Sequence, residues 1–158
     1  MLKRRPPMCA ANIVRIFVGI LLFNSVAMAG AFNYTAFKLP HFQSDENFDS
    51  EQQVGKKIVI INFFASWCTS CIQELPELRA LKEKYSGPDY LYVAINAGES
   101  ESVLKKFLKK NPFPYLILKD PERLVSKKLG VEELPRTIVI DRSRKISFDG
   151  IRPPASLP

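Results

Sequence analysis

The sequence predicts an α/β domain in which a central mixed sheet is flanked by helices. Residues 58–64 and 90–96 are almost wholly apolar, which is typical of strands that are buried on both faces of a sheet. Between them, apolar residues recur at three-residue steps over residues 69–85 and indicate a helix. This strand-helix-strand unit predicts two parallel strands. Residues 137–141 and 145–148 have the spacing of an antiparallel hairpin, so the sheet is expected to be mixed.

The N-terminal residues 1–29 predict a signal peptide, or an N-terminal anchor if they are retained. Basic residues occupy positions 3–5, an apolar run covers 16–23, and Ala27-Met28-Ala29 is a small-x-small cleavage pattern. The apolar run is shorter than the ~20 residues of a membrane-spanning helix, so cleavage is the preferred interpretation. We therefore expect an extracytoplasmic protein, which would be periplasmic if the source is a Gram-negative bacterium.

Charge and composition argue against nucleic acid as a partner and against an imidazole-based metal site. The formal net charge is +7, but four of the basic residues stand in the predicted leader, and the rest of the chain carries only +3. Such a mild excess does not favour nucleic acid. His41 is the only histidine, so a zinc or haem site built on imidazole is not expected. No metal or other cofactor is predicted, and a membrane is a partner only if the leader is retained.

The remainder of the chain is predicted to have three parts. Residues 30–54 form an N-terminal extension, with a short edge strand near 36–39 and a polar loop over 43–53. Residues 55–150 form the main domain, and residues 151–158 form a C-terminal tail.

Smaller elements of the main domain are also predicted. Pro76 falls inside the first helix and should kink it after its second turn. Ser100 is a candidate cap for a helix that ends near residue 110. A strand over 115–119 and a short helix over 122–129 complete this part of the chain. Pro135 directly precedes a core strand, which makes the Leu134–Pro135 peptide a candidate for the cis form.

Two cysteines, Cys68 and Cys71, stand at the junction of the first core strand and the first helix. The remaining cysteine, Cys9, lies in the predicted leader. A lone C-x-x-C in this context is typical of a redox motif rather than of a paired zinc site. At a helix start, Cys68 should have a pKa below its free value of about 8.5 and act as the attacking thiolate, while Cys71 resolves the mixed disulfide. The alternative is a stapling disulfide, but so short a loop restricts the unfolded chain little.

The chain resembles the TlpA/ResA type of extracytoplasmic thioredoxin-like thiol-disulfide oxidoreductases, a group that includes reductants of apocytochrome c. Four segments over about residues 36–150 carry this resemblance: NFFASWCTSC with Glu74 and Pro76, VAINAGES, FPYLILKDPE and GVEELPRTIVID. The resemblance implies a thioredoxin-like fold with a family-type central insertion. The usual C-terminal helix is missing from the sequence, so one face of the sheet is either exposed, covered by a partner or covered by the N-terminal segment.

The resemblance also implies roles for individual residues. Cys68 would be the nucleophile and Cys71 the resolving thiol of a Cys68–Cys71 disulfide. Pro135 would be the cis-proline that packs against this disulfide and presents backbone to a partner. Glu74 would be the partly buried carboxylate of the cytochrome-maturation members. Since Glu74 is three residues after Cys71, it should share the helix face of the thiols and accept the Cys71 proton; the alternative is a solvated surface glutamate.

Residues around these are expected to bind the client and to tune the potential. Trp67, Leu134 and Arg136 join Pro135 as candidate substrate-binding residues. Arg136 stands where relatives usually have threonine, and it either stabilises the Cys68 thiolate, meets an acidic client or points outward. The intervening Thr69-Ser70 pair differs from the Glu-Pro or Gly-Pro of relatives, which leaves strong reductant versus mild oxidant open.

The predicted function is that of an exported thiol-disulfide oxidoreductase with protein disulfide or dithiol clients. Reduction of the cysteine pair of apocytochrome c is the leading assignment, with a membrane thiol carrier as electron donor. The alternative is a non-catalytic thioredoxin-like binding module with a permanent disulfide. A peroxiredoxin is a weaker third possibility, because that chemistry wants Thr or Ser three residues before the attacking cysteine and Ala65 stands there.

Overall fold

A five-stranded mixed sheet forms the centre of the molecule in the computed structural model, which describes residues 34–158. The strand order is β5-β4-β3-β6-β7, with β3 in the middle. The strands are β3 (Ile58–Phe64), β4 (Tyr90–Ala97), β5 (Leu116–Asp120), β6 (Arg136–Ile140) and β7 (Ile146–Gly150). β3 and β5 run parallel to β4, whereas β6 runs antiparallel to both β3 and β7. The predicted fold class, including the parallel crossover and the terminal hairpin, is therefore confirmed. The predicted leader, residues 1–29, lies outside the described residues.

The two faces of the sheet are covered by different parts of the chain. The helices are α1 (Thr69–Gln73), α2 (Leu75–Lys84), α3 (Glu101–Leu108) and α4 (Leu124–Lys128). Because side chains alternate along a strand, Ile58, Ile60 and Phe64 face α1, α2 and α3. Their neighbours Val59, Ile61 and Phe63 pack instead against α4 and the N-terminal extension. None of the helices within residues 34–158 is long and apolar enough to cross a membrane.

The prediction of an uninterrupted polar loop over residues 43–53 was wrong. Two short strands, β1 (Lys38–Pro40) and β2 (Asn47–Asp49), pair with each other in a separate sheet, and a 3-10 turn follows at Ser50–Gln52. Phe48 explains the difference, because it is buried and lies opposite Leu39 in this hairpin. The predicted edge strand is therefore present, two residues later than expected, but its partner is β2.

The helix predicted over residues 69–85 is divided into α1 and α2 and is not a single helix with a kink. α1 ends at Glu74, and α2 begins at Leu75 with Pro76 in its first turn. A proline costs little there, because the first amides of a helix have no intrahelical acceptor. Glu74 therefore stands at the joint between two helices instead of on the side of one.

The remaining predicted elements are found with shifted ends. Ser100 occupies the capping position of α3, but its hydroxyl lies 3.1 Å from that of Ser102 and does not cap the helix. α4 is shorter than predicted, since Arg123 takes a left-handed conformation before it. The segment between β4 and α4 consists of helix α3 and edge strand β5, and the expected central insertion stays a prediction.

The C-terminal tail, residues 151–158, covers part of the sheet face that was predicted to be exposed, covered by a partner or covered by the N-terminal segment. No helix follows β7 in the described chain; residues 151–158 return over α2 instead. Leu157 is 9% exposed and joins the core cluster of Leu81 and Tyr92. Lys84 Nζ donates to the Ala155 carbonyl at 3.4 Å. The N-terminal extension covers the opposite face.

Candidate active site

The cysteine pair lies where β3 ends and α1 begins. Cys68 and Cys71 form a disulfide, with their Cα atoms 5.3 Å apart. Cys68 is the N-cap residue of α1, and its sulfur accepts the backbone N–H of Cys71 at 3.2 Å. The Ser70 hydroxyl lies 3.5 Å from the same sulfur. An amide of the helix start, that of Cys71, therefore donates to the Cys68 sulfur, as expected where the first amides of a helix have no intrahelical acceptor.

Both cysteines are buried in this oxidised form. Cys68 is 4% exposed and Cys71 is 0% exposed. Next to them, Trp67, Thr69 and Ser70 are exposed, and Trp67 has 68% of its surface in solvent. Cys68 is thus the more exposed residue of the pair, which fits the order of attack by Cys68 and resolution by Cys71.

Glu74 is a buried carboxylate in the core under the active-site helix. Its side chain is 3% exposed, so the solvated-glutamate alternative is excluded. Oε1 accepts a hydrogen bond from Asn62 Nδ2 at 2.8 Å, and the same amide donates to Thr137 Oγ1 at 3.1 Å. Asn62 and Thr137 are cross-strand partners on β3 and β6. Among the described residues, Glu74 Oε2 is buried without a hydrogen-bond partner.

The environment of Glu74 moves its titration into the neutral range. Burial raises the pKa of Glu74 from its ordinary 4.5 to about 7, because a charged carboxylate is poorly solvated there. The Asn62 hydrogen bond lowers this pKa, the nearby charge of Glu77 raises it, and that of Arg152 lowers it. Glu74 can therefore exchange a proton near pH 7, which is what a general base in thiol chemistry requires.

A cavity opens beside this carboxylate on the side of the cis-proline. Its volume is about 280 Å³. The Leu134–Pro135 peptide is cis, as predicted, and both residues contribute to the wall. Eight residues line the cavity: Ser70, Gln73, Glu74, Glu133, Leu134, Pro135, Ile151 and Arg152. The structure thus brings together residues of α1, the loop before β6 and the tail.

Arg136 is engaged away from this cavity. Its guanidinium forms an ion pair with Asp149 on β7, and that hydrogen bond raises the already high pKa of Arg136. The sequence predicted that Arg136 stabilises the Cys68 thiolate, meets an acidic client or points outward, and its ion pair with Asp149 was not among these alternatives.

A second carboxylate, Glu99, holds the loop that precedes Cys68. Glu99 Oε2 accepts the backbone N–H of Ser66 at 2.7 Å and the Asn96 side-chain amide at 2.7 Å. Glu99 Oε1 accepts the Ser66 hydroxyl. Gly98, with φ of +86°, turns the chain after β4 so that Glu99 meets this loop.

Sequence reasoning missed three polar residues of the site, Asn62, Thr137 and Glu99. One signal was present: Asn62 is the single polar residue in an apolar strand, and a buried amide needs a partner. Thr137 and Glu99 gave no such signal, since each stands at the end of an element where polar residues are common. No cluster of potential metal ligands occurs within the described part of the chain.

Comparisons with known proteins agree with this site. The sequence model of the AhpC/TSA family matches residues 33–148. The thiol-disulfide oxidoreductase ResA of Bacillus cereus is 27% identical over an alignment of 147 residues, and the match covers 80% of this chain and 84% of the relative. A Chlorobium tepidum structure described as a thiol:disulfide interchange protein, DsbE, has a TM-score of 0.69 and 27% identity, and the match covers 78% of this chain and 86% of that one.

A second solved structure supports the fold alone. It is a secreted disulfide oxidoreductase from Mycobacterium tuberculosis, with a TM-score of 0.63 and 20% identity over 77% of this chain and 87% of that one. The relatives are named as redox enzymes. We therefore prefer a redox-active Cys68–Cys71 pair to a binding module with a permanent disulfide.

Proposed function

From the premise that this chain belongs to the AhpC/TSA family and is a thioredoxin-like thiol-disulfide oxidoreductase of the TlpA/ResA type, we propose that it reduces disulfides of exported proteins. The cysteine pair of apocytochrome c is the leading client. A membrane thiol carrier would return electrons to Cys68 and Cys71. No cofactor is needed, since the two thiols supply both electrons.

The observation that carries this proposal is the buried Glu74 with its pKa of about 7, one helical turn after Cys71. A permanent structural disulfide would not use a group that titrates near neutrality at this place. Resolution of a mixed disulfide does use one, because Cys71 must lose its proton before it attacks.

The proposed reaction proceeds in two exchanges. The Cys68 thiolate attacks one sulfur of a client disulfide, a Cys68–client bond forms, and the second client sulfur leaves as a thiolate that takes a proton from solvent. Glu74 then accepts the proton of Cys71, and Cys71 attacks Cys68 and releases the first client sulfur. The client gains two electrons, and the enzyme is left with the Cys68–Cys71 disulfide.

The client would lie across the exposed surface around the pair. Trp67 offers a large apolar contact on one side of Cys68. Leu134 and the cis Pro135 line the cavity beside Ser70 and Glu74. Backbone at this loop could hold an extended client segment, while Thr69 and Ser70 set the potential.

Export is part of the proposal and depends on the leader. Residues 1–29 carry the charge, apolar run and cleavage pattern of a signal peptide. The similar Mycobacterium tuberculosis protein is described as secreted. We also propose the division into residues 30–54, 55–150 and 151–158, in which the first and last segments pack on opposite faces of the main domain.

The burial of both cysteines keeps a second candidate, the non-catalytic binding module, open to experiment. The reduction potential of the Cys68/Cys71 couple separates the two. A potential of about −270 mV, as in thioredoxin, supports a reductant, whereas a potential of about −120 mV indicates an oxidant. A potential well below about −300 mV is typical of a structural disulfide.

A peroxidase activity is not proposed. Ala65 stands three residues before Cys68, is fully buried and has no hydroxyl to orient a peroxide.

Capture of clients provides the direct experiment. In the extracytoplasmic fraction, Cys71→Ser should accumulate mixed disulfides between Cys68 and client proteins, since the resolving thiol is absent. Cys68→Ser is the matched control and should accumulate none. Reduced wild-type protein that leaves a protein disulfide such as insulin intact would contradict the proposed function.

A further inference from the structure

The loop between β3 and α1 is fixed at its two ends, where Ala65 and Cys68 are buried and Cys68 N donates to the Ala65 carbonyl at 3.2 Å, and Glu99 holds its middle at Ser66. Trp67, at the tip of this loop, is largely in solvent, so its packing does not set its position. Ser66 beside it gives both its backbone N–H and its hydroxyl to the Glu99 carboxylate. Charge-assisted hydrogen bonds of this kind are roughly twice as strong as neutral ones.

The Glu99 carboxylate also accepts a hydrogen bond from a buried residue of the sheet. Asn96 lies on β4, is 1% exposed, and donates its side-chain amide to the same carboxylate at 2.7 Å. Glu99 therefore connects a fixed strand of the sheet to the residue directly before Trp67. The carboxyl ends of parallel strands β3 and β4 meet at this edge, which is why the two loops are close.

The cysteine pair has its own hydrogen bonds, which do not include Glu99. The Cys68 sulfur accepts from Cys71 N, and the Cys68 carbonyl accepts from Ile72 N at 3.3 Å. Loss of the Glu99 contact should therefore loosen Trp67 more than it changes the helix start at Cys68.

We propose that Glu99 is a positioning residue for protein clients: it holds Trp67 in place as a contact surface beside Cys68. The inference depends on the proposed function, because it assumes that the reduced pair acts on protein disulfides. It predicts a division of effects, in which recognition of a protein disulfide depends on Glu99 and the intrinsic reactivity of the thiols does not.

The experiment compares a protein disulfide, insulin, with a small disulfide, 5,5′-dithiobis(2-nitrobenzoate), using the reduced full domain. Glu99→Ala should raise KM for insulin about tenfold, the order expected for lost hydrogen bonds to a charged group, with kcat nearly unchanged. Its rate with the small disulfide should stay within about twofold of wild type, since no docking on Trp67 is needed.

Two variants control for the fold and for the charge. Glu99→Gln should restore most of the insulin KM, because an amide oxygen can accept from Ser66 N and Asn96 while its N–H₂ donates to the Ser66 hydroxyl. Ser66→Ala should lie between wild type and Glu99→Ala, since it keeps the backbone hydrogen bond. Thermal unfolding of each variant shows whether the domain is intact.

A double-mutant cycle with Trp67→Ala tests the mechanism itself. If Glu99 acts through Trp67, Glu99→Ala should have little further effect on KM in the Trp67→Ala background. Equal effects in both backgrounds, or equal losses with insulin and the small disulfide, would overturn the inference. Failure of the proposed function is distinguishable, because wild-type protein would then not reduce insulin at all.

Discussion

Two carboxylates flank the cysteine pair, and their surroundings give them different uses. Glu74 is buried three residues after Cys71, with Asn62 donating to one oxygen and a pKa of about 7. Glu99 is half-buried beside the loop before Cys68 and accepts three hydrogen bonds, from Ser66 and Asn96. The two glutamates therefore differ in use because their surroundings differ: Glu74 is buried with one hydrogen-bond donor and suits a proton acceptor, whereas Glu99 is half-buried with three and suits a structural anchor. On this account the Cys71 side carries the proton chemistry and the Cys68 side carries client contact.

The largest expected effect separates the two sulfurs. Cys68→Ser should reduce turnover of a protein disulfide by about 10³-fold or more, because no nucleophile remains. Cys71→Ser should still react once and then stop as the mixed disulfide. Quenched reactions resolved on non-reducing gels check this. A Cys68→Ser protein that forms the mixed disulfide, through Cys71, would reverse the assignment of the two sides.

Glu74→Gln should affect the second exchange and spare the first. Reaction of the reduced protein with excess 5,5′-dithiobis(2-nitrobenzoate) releases one thiol on attack by Cys68 and another on resolution by Cys71, so stopped-flow absorbance follows both. In wild type the resolution rate should rise with pH through about 7, as Glu74 becomes the ionised base. The variant should lose this inflection and resolve about 10²-fold more slowly at neutral pH, the lower end of the range for general base catalysis.

Glu83→Gln is the matched control for that experiment. Glu83 is an exposed carboxylate on α2, and its replacement should leave both phases and the inflection unchanged. Equal losses in the two phases of Glu74→Gln would instead indicate a general structural effect.

The pH dependence of the free energy of unfolding tests the raised pKa of Glu74 without any measurement of catalysis. Because the folded-state pKa of Glu74 is raised from 4.5 to about 7, folding favours its protonated form. Its stabilising contribution is fully present below pH 4.5 and is lost as pH rises through about 7. In the oxidised protein, whose cysteines do not titrate, the free energy of unfolding by urea should fall over this window. Glu74→Gln should remove that fall, and an unchanged slope would contradict the burial of an ionisable Glu74.

The smallest expected effect concerns Asn62. Its hydrogen bond lowers the pKa of Glu74, so Asn62→Ala should raise this pKa further above neutrality and move the resolution inflection to higher pH. The variant should also lose about 1–3 kcal/mol of stability, since a buried carboxylate oxygen loses its donor. Thr137→Val keeps the Asn62 donor and should shift the inflection less. If the inflection stays at the same pH in both variants, Asn62 does not set the pKa of Glu74.

Much of the fold was predictable because hydrophobic patterning reports burial directly. The apolar runs at β3 and β4 predicted the centre of the sheet, and the proline before β6 predicted the cis peptide at Leu134–Pro135. The end of α1 was not predictable, since a proline at residue 76 is compatible both with a kink and with a new helix start. Phe48 and Leu157 were missed because a single apolar residue in a polar stretch carries no periodicity.

The site was half predictable for a similar reason. The cysteines and Glu74 have a local sequence pattern, whereas the partners of Glu74 lie on β3 and β6 and meet it only after folding. The contact of Glu99 with Ser66 joins residues 33 positions apart and has no local pattern at all.

The titration of Glu74 tests the central claim most directly. The carboxyl ¹³C chemical shift of Glu74 can be followed against pH in the oxidised full domain, with Glu74→Gln used to assign the signal. A midpoint near 7 is the predicted result, and it would establish a buried group able to take the Cys71 proton at neutral pH. A midpoint near 4.5, the ordinary pKa of a solvated glutamate, would contradict the account.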